Sequence, residues 1–541
     1  MPESAEKLQS SFSTPIYDVL INGGGPVGMG LAIELGQRGV RVCVVERYAT
    51  PQPVPKGQNL TQRTAEHFHF WGCAERLQAA AAVSQGAGIG GLTCYGTLLS
   101  DHHYNWLDRS KVRDFYFSRN ARMPQYTTEA ILRERAAEID GIDILYGWQG
   151  VALAQDDSGV SLTIAARADS EQRVLRGKYL VGCDGSHSFV RQASGITQTQ
   201  EDHNRLMALV VFTSVELDDL LRRYPGKAFY NVLNPRHDGY WLFFGRVDHG
   251  RSWFFHAPVP PGTTDSNFDF PAFLHEAVGQ SFDLTIDHLG FWDMRFAQAD
   301  SYRNGRVFVA GDAAHSHPPY GGYGINSGLE DATNLGWKLA AVLQGWGADA
   351  LLDSYHAERH GVFASTIRDF IARFIREDRD FLHLYAPDRD SAAFNAAWDA
   401  RSADASEVLA FEPHYEGSPV VMGQGGAPSS LGSHEMRARV GHHLAPQVLA
   451  DGRNVFEALG PEHTLLALGG ADPALVAGIR AQADAAKVPL RVIADSGQRA
   501  REAYGASLIL LRPDQFVAWA GDDALPSILF ARLTGQYPGA E

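Results

Sequence analysis

The stretch Tyr17-Asp18-Val19-Leu20-Ile21-Asn22-Gly23-Gly24-Gly25-Pro26-Val27-Gly28 constrains this chain most, because Glu46-Arg47 follows eighteen residues later at the end of Val42-Cys43-Val44-Val45. An apolar run enters a glycine turn, an apolar-periodic segment runs from Met29 to Arg38, and a second apolar run ends on an acid. That order describes one βαβ unit. The three glycines serve separate ends. Gly23 permits a tight turn, Gly25 lets the backbone approach a pyrophosphate, and Gly28 allows a helix to pack closely on a strand. Pro26 and Val27 open the helix, whose free N–H groups and dipole favour an anion. Glu46 is placed to accept hydrogen bonds from an adenosine ribose, so a bound dinucleotide is expected.

Gly86-Ala87-Gly88-Ile89-Gly90-Gly91 also spells GxGxxG, but it follows a helical pattern over Glu75 to Ala80 and precedes the strand-like Leu92 to Tyr95. The context is reversed, so a loop is expected there and a single dinucleotide fold in the chain.

At about 150 residues per domain, 541 residues correspond to two to four domains. The opening Met1 to Thr14 is polar with no apolar h-region, and no stretch reaches the roughly 18 apolar residues of a membrane span. A soluble cytoplasmic protein is expected. A formal charge of −16 argues against a nucleic-acid surface. Cys43, Cys73, Cys94 and Cys183 are far apart, with no CxxC, so neither a disulfide nor a cysteine metal site is expected.

Two further patches end an apolar strand on Gly and Asp: Tyr179 to Arg191, containing Gly182-Cys183-Asp184-Gly185, and Gly305 to His315, containing Gly311-Asp312. Acids at strand ends stand where open α/β sheets bind ligands. Helices are predicted from Asn326 to Leu343 and from Leu351 to about Arg376. Between the patches, residues 205–300 alternate β-branched and aromatic side chains, which predicts an inserted, mostly antiparallel sheet. Residues 378–426 read as an irregular linker. Beyond it, strands at 464–468 and 490–493, a helix from Pro473 to Ala486 and a hairpin turning at Pro513-Asp514 predict a small separate α/β domain.

Together these motifs resemble the single-component FAD-dependent aromatic hydroxylases, the group of p-hydroxybenzoate and phenol hydroxylases. The resemblance rests on Gly23 to Gly28 with Glu46-Arg47, on Cys183-Asp184-Gly185 with Ser188 and Arg191, and on Gly311-Asp312-Ala313-Ala314-His315 running into Pro318-Pro319 and Gly324-Ile325-Asn326. It spans roughly residues 16–365. The last domain resembles the thioredoxin-like C-terminal domain of the phenol-hydroxylase and polyketide-hydroxylase branch, without dithiol chemistry because no cysteine follows Cys183. Packing or oligomer contacts are expected of it, and a homodimer is compatible. The implied fold class is α/β with α+β: a discontinuous Rossmann-like FAD-binding domain (1–95, 126–204, 301–377), a substrate sheet (96–125, 205–300), the linker 378–426 and a thioredoxin-like domain (427–541).

By this resemblance Asp312 would bond the ribitol of FAD, and Arg191 with the Asp184-Gly185 turn would lie near the pyrophosphate and the nicotinamide nucleotide. Lys56 stands where the family often has an arginine reaching the pyrophosphate, and Gln125, followed by Glu129, matches a glutamine near the flavin. Pro319, Gly322, Gly324, Ile325 and Asn326 would run along the isoalloxazine ring, with backbone N–H groups stabilising its reduced, anionic form. The sequence departs from the family at Gln58, where phenol hydroxylase carries an aspartate base, since a neutral amide cannot remove a phenol proton. Tyr323 replaces the more usual glutamine or lysine.

The implied chemistry uses NADPH or NADH to reduce FAD and O2 to form a flavin C4a-hydroperoxide, which hydroxylates a small phenolic or related aromatic substrate in a site that excludes water. Candidates for the phenol base or its hydrogen-bond partner are His237, Tyr240, Arg246, His256, Arg295 and Tyr320, with Pro319 beside the ring. Trp241, Phe243, Phe254 and Trp292 are candidates to stack on substrate, or equally to form ordinary sheet core. His102-His103, His315, His317 and His442-His443 show no ligand spacing, so no metal is expected. Two alternatives stay open: a flavin dehydrogenase or oxidase that inserts no oxygen, and a flavin-bound sensor whose last domain recruits a partner. A disulfide reductase lacks its cysteine pair here, and a flavin halogenase its Trp-x-Trp-x-Ile-Pro run.

Overall fold

The computed structural model describes residues 17–81, 89–248, 250–403, 407–423 and 425–536. The polar opening Met1 to Thr14 and Gly86 to Gly88 of the second GxGxxG lie outside the described residues. Among the described residues, no helix is long and apolar enough to cross a membrane.

Tyr17–Asn22 lies within an eight-stranded sheet, between the parallel strands Val42–Glu46 and Gln172–Gly182. Val307–Val309 extends the sheet parallel to Gln172–Gly182 on one side, and Ile142–Tyr146 extends it beside Val42–Glu46 on the other. Val19, Leu20, Ile21, Val42, Cys43 and Val44 have no exposed surface, which is why these strands read as unbroken apolar runs rather than alternation. The register pairs Asn22 with Gly182 and Gly182 with Val309, so three chain segments far apart in sequence end at one edge.

The helix Pro26–Gly36 covers this sheet and is crossed by Gly324–Leu343. Glycine allows the close approach: a Cβ on Gly336 would stand 2.4 Å from Glu34 Cγ.

A second eight-stranded sheet runs His315–Ser316, Thr285–Ala299, Gln198–Thr213, Ser252–Val259, Leu242–Arg246, Lys227–Leu233, Gly90–Tyr95 and His103–Trp106. It is antiparallel except where Gly90–Tyr95 pairs with Lys227–Leu233. Two predicted boundaries shift. Gly90–Tyr95 belongs to this sheet and not to the first domain, because Leu92 and Cys94 join the same buried core as Tyr230, Phe244, Trp253 and Phe255. Gln198–Thr213 likewise starts within the span 126–204 assigned to the first domain.

Residues 378–426 are not an irregular linker. The helix begun at Ala350 continues through a wider turn at Thr366–Ile371 to Leu384, and Ser391–Ala403 is helical too. Phe381, Phe394 and Trp398 pack into one cluster there, and burial of these rings outweighs the weak sequence periodicity. Phe411–His414 then pairs with Ser429–Leu431.

The last module has the strand order Leu490–Asp495, His463–Leu468, Leu508–Leu511, Val517–Gly521. Its first pair is parallel and the others antiparallel, with the helix Pro473–Ala485 crossing between the parallel strands.

Candidate active site

The three strand ends open into one cavity of about 860 Å³ that reaches across to the second sheet. Gly23, Gly25, Pro26, Val27, Glu46 and Arg47 line its first end. Lys56, Gln58 and Gln125 form one side, and Asp184 and Asp312 border it from the second and third corners. Pro319, Gly322, Gly324 and Ile325 come from the loop that leads into the long helix.

The glycines divide their work as steric limits. Gly23 has φ +109°, and a Cβ there would lie 2.3 Å from the Cys183 carbonyl oxygen. A Cβ on Gly28 would collide with the Gly23 carbonyl oxygen at 1.9 Å. Gly25 would meet nothing within 4 Å, so its missing side chain leaves room for a ligand at the helix N-terminus. Gly311, with φ +60°, packs on Val27 behind the cavity wall.

Glu46 holds the turn: its carboxylate accepts from the Gly24 and Tyr48 backbone N–H groups, each at 2.7 Å. Asp184 accepts from Ser188 Oγ, from Asn22 Nδ2 at 3.0 Å and from the Val190 N–H at 3.1 Å. Burial nevertheless pushes its pKa up. Burial also raises the Asp312 pKa, against the pull of His315 and Lys56.

Arg191 is not part of the cavity lining. Its guanidinium donates to the Ala313 and Ser186 carbonyls at 2.8 and 3.0 Å, tying the second corner to the third. Asn326 also faces away from the expected ring position. Its Oδ1 accepts from the Thr61 N–H and Thr64 Oγ1, and its Nδ2 donates to the Asn59 and Gly322 carbonyls at 2.8 and 2.6 Å, so all its bonding capacity fixes the loop.

The period of two decides the far end of the cavity. Phe254 and His256 on Ser252–Val259, Phe243 on Leu242–Arg246, Phe229 on Lys227–Leu233 and Trp292 on Thr285–Ala299 all face inward. Arg246 pairs in register with Trp253 on the opposite face, where its guanidinium stacks over that indole at 4.3 Å and pairs with Asp218. Tyr240 donates or accepts at His203 Nδ1, 2.8 Å away, and Tyr320 is wedged edge-on against Trp241 at 4.3 Å. His237 sits beside Phe273, and Arg295 lies opposite Asp202 in the long strand pair. None of these five lines the cavity, so of the candidates for phenol chemistry His256 remains in its lining, as does Pro319. Trp241 likewise packs behind the wall.

Burial pushes the His256 pKa down to about 4, leaving a neutral imidazole at neutral pH. Its Nδ1 is buried without a partner among the described residues. His317 is similar: burial takes it to about 4, its Nδ1 lies 2.5 Å from the Pro318 carbonyl, and its buried Nε2 has no partner. Both amide atoms of Gln58 are in the same condition. Buried polar atoms left without partners are rare, and a ligand in the cavity would supply them.

Trp106, Leu107 and Arg122 also line this end, and sequence reasoning passed over them. Arg122 lies 5.3 Å over Phe229 and 5.9 Å from Phe254, with burial pulling its pKa down to about 10. Its only sequence signal is its place three residues before Gln125.

This combination of a nucleotide-binding sheet edge with an aromatic cavity defines a flavin-dependent oxygenase class, and comparison with known proteins agrees. The FAD binding domain family matches residues 16–369, and the aromatic-ring hydroxylase C-terminal family matches residues 437–534. The 4-methyl-5-nitrocatechol 5-monooxygenase of a Burkholderia species is 31% identical over 93% of this chain and 94% of its own length. The 12-dehydrotetracycline 5-monooxygenase/anhydrotetracycline 6-monooxygenase of Streptomyces rimosus is 30% identical over 95% and 98%. The rebeccamycin biosynthetic enzyme RebC, with bound 7-carboxy-K252c, superposes with TM-score 0.82 at 26% identity, over 97% of this chain and all of that one. The chain belongs to the single-component FAD-dependent aromatic hydroxylases and is an FAD-dependent monooxygenase.

Proposed function

We propose that this monooxygenase hydroxylates a phenolic or related aromatic substrate, with O2 as co-substrate and NADPH or NADH as electron donor. One observation carries the reading: a single cavity joins the Gly-acid corners to a wall of Phe229, Phe243, Phe254 and Trp292 that contains a neutral imidazole.

The residues present fit FAD. Gly25 leaves space at a helix N-terminus where a pyrophosphate would sit, Lys56 in the same lining would balance its charge, and Asp312 at the third corner would bond the ribitol. Bound there, FAD supplies the electron transfer and oxygen activation that protein side chains cannot. The chain supplies the rest. Asn326 holds the Gly322 carbonyl, and with it the loop that would meet the ring. The aromatic wall excludes water, which protects the oxidant from unproductive breakdown. His256, uncharged, accepts a hydrogen bond from the phenolic O–H at its unpartnered Nδ1 and so raises electron density on the ring to be attacked. Gln58 has both a donor and an acceptor left to orient the substrate or the flavin edge.

We further propose that the last module is thioredoxin-like. Its β-α-β-α-β-β order, with one parallel strand pair and an antiparallel hairpin, supports this, and the absence of cysteine after Cys183 excludes dithiol chemistry, leaving packing or oligomer contacts. The division into an FAD module, a substrate sheet and this module is proposed on the same grounds, with Gly90–Tyr95 moved to the sheet.

A panel of phenols screened for stimulated NAD(P)H oxidation under isotopically labelled O2 tests the function. Label in the product is expected. Stimulated oxidation of the nicotinamide with unlabelled product would favour a dehydrogenase and overturn the hydroxylase reading.

A further inference from the structure

We propose that His414, Glu416 and His442 form a binding site for a divalent transition-metal ion of the zinc class. The site is remote in sequence from every residue of the cavity above: His414 ends the strand Phe411–His414, Glu416 follows it, and His442 arrives from the loop after Arg439. His442 has no ligand partner at short spacing, which is why its doublet with His443 carries no metal signal in the sequence. The backbone bond from the Tyr415 N–H to the Gly441 carbonyl, 2.7 Å, brings the two segments side by side.

The donor set suits such an ion. One ligand atom from each of the three side chains lies within 4.8 Å of the others. A shift of about an ångström brings them to the roughly 2.0–2.2 Å bonds that zinc makes with nitrogen and oxygen. His414 and His442 are buried, with rings stacked at 4.7 Å, while the Glu416 side chain is 44% exposed and leaves an entry path and room for a water ligand.

The tautomers are set for ligation. His414 Nε2 lies 3.2 Å from the Leu431 carbonyl, which accepts only a hydrogen, so Nδ1 keeps its lone pair. His442 Nδ1 is 2.9 Å from Glu412, itself paired with Arg439, in the carboxylate–histidine arrangement that orients metal-bound imidazoles.

His442 Nε2 then faces Glu416 at 2.8 Å. A neutral imidazole carries one N–H and cannot donate to both carboxylates. A metal ion between Nε2 and Glu416 would leave His442 with a single N–H, donated to Glu412. His414 Nδ1, which accepts a long 3.4 Å hydrogen bond from the Glu416 N–H, keeps its acceptor side on the same spot, so the three donor groups converge there. An ion here would staple the strand Phe411–His414 to the loop that leads into the last module.

Calorimetric titration of untagged, FAD-loaded enzyme with zinc chloride, alongside Glu416→Gln and His414→Gln, tests the site. FAD absorbance serves as the control for folding, since neither residue touches the cavity. One tight equivalent is expected in the parent, at least tenfold weaker in each variant, and weakened about 10–100-fold in Glu412→Gln through loss of the orienting bond. Binding should release protons and raise the thermal midpoint of the parent but not of Glu416→Gln. Absence of a tight equivalent in the parent, or its survival unchanged in both variants with normal FAD content, overturns the site.

Discussion

Arg512, at the turn of the last hairpin, is ion-paired with Glu358 on the helix Ala350–Ser365, its Nη2 standing 2.9 Å from Oε2 with both side chains fully buried. Glu358 also accepts from Lys338 Nζ at 2.7 Å and Asn334 Nδ2 at 2.6 Å, both on the long helix that begins at the cavity loop. Arg512 in turn holds Asp514, and Arg63 reaches Glu330 and the Asp514 carbonyl. The last module is therefore joined to the nucleotide module by charges that have no water to fall back on.

Removing one partner of such a pair leaves the rest buried and uncompensated. Arg512→Ala should cost about 3–5 kcal/mol, seen as a lowered thermal midpoint of the whole chain. A midpoint within a degree of the parent would show that the two modules are not coupled through this pair.

The glycine geometry separates ligand space from folding space. Gly25→Val should yield folded protein with little FAD, because its side chain enters open cavity. Gly28→Val should fail to fold or melt far below the parent, because its Cβ meets backbone at 1.9 Å. Flavin content after purification, read beside the circular dichroism melt, checks both. A yellow Gly25→Val protein would place the pyrophosphate elsewhere.

Replacing His256 by Phe should lower kcat with a phenolic substrate up to about tenfold, the worth of one neutral hydrogen bond to the phenolic oxygen, while FAD content is kept. Arg295→Gln and Tyr240→Phe should stay within a few-fold of the parent, because neither side chain borders the cavity. Steady-state rates on the three variants decide; equal losses would return the phenol contact to the residues outside the cavity wall.

His463 makes a pH-dependent cost. Both ring nitrogens are buried without partners among the described residues, beside Trp337 and Trp346, and burial drives its pKa down to about 3. The unfolded chain takes up a proton below about pH 6.5 and the folded chain does not until about 3, so unfolding binds a proton in that window and stability falls as pH drops. His463→Phe should remove about 1.4 kcal/mol of this loss per pH unit. It should also gain stability at pH 7 by deleting two unsatisfied polar atoms. Midpoints measured at pH 5 and pH 7 test this; an unchanged difference between the two pH values would contradict it.

The sequence by itself determined the nucleotide end. Gly23, Gly25, Gly28, Glu46, Asp184 and Asp312 were legible because their roles depend on local order, a strand running into a glycine and an acid, which spacing records directly. Only the tertiary structure decided the substrate end. Alternation along Ser252–Val259 and Leu242–Arg246 names two faces without saying which looks at the cavity, so Arg246 and His256 read as equals until sheet packing turned one away from it. Trp106 reaches the cavity by pairing with Gly91 at the edge of the sheet, and Arg122 by pairing with Asn59 in a separate two-stranded ladder, neither of which its own segment announces. The buried charges Lys338, Glu358, Arg512 and Asp514 would read as surface residues on composition alone. They are tolerated inside because partners more than 150 residues apart, such as Glu358 and Arg512, arrive together, and no local pattern encodes an encounter at that distance.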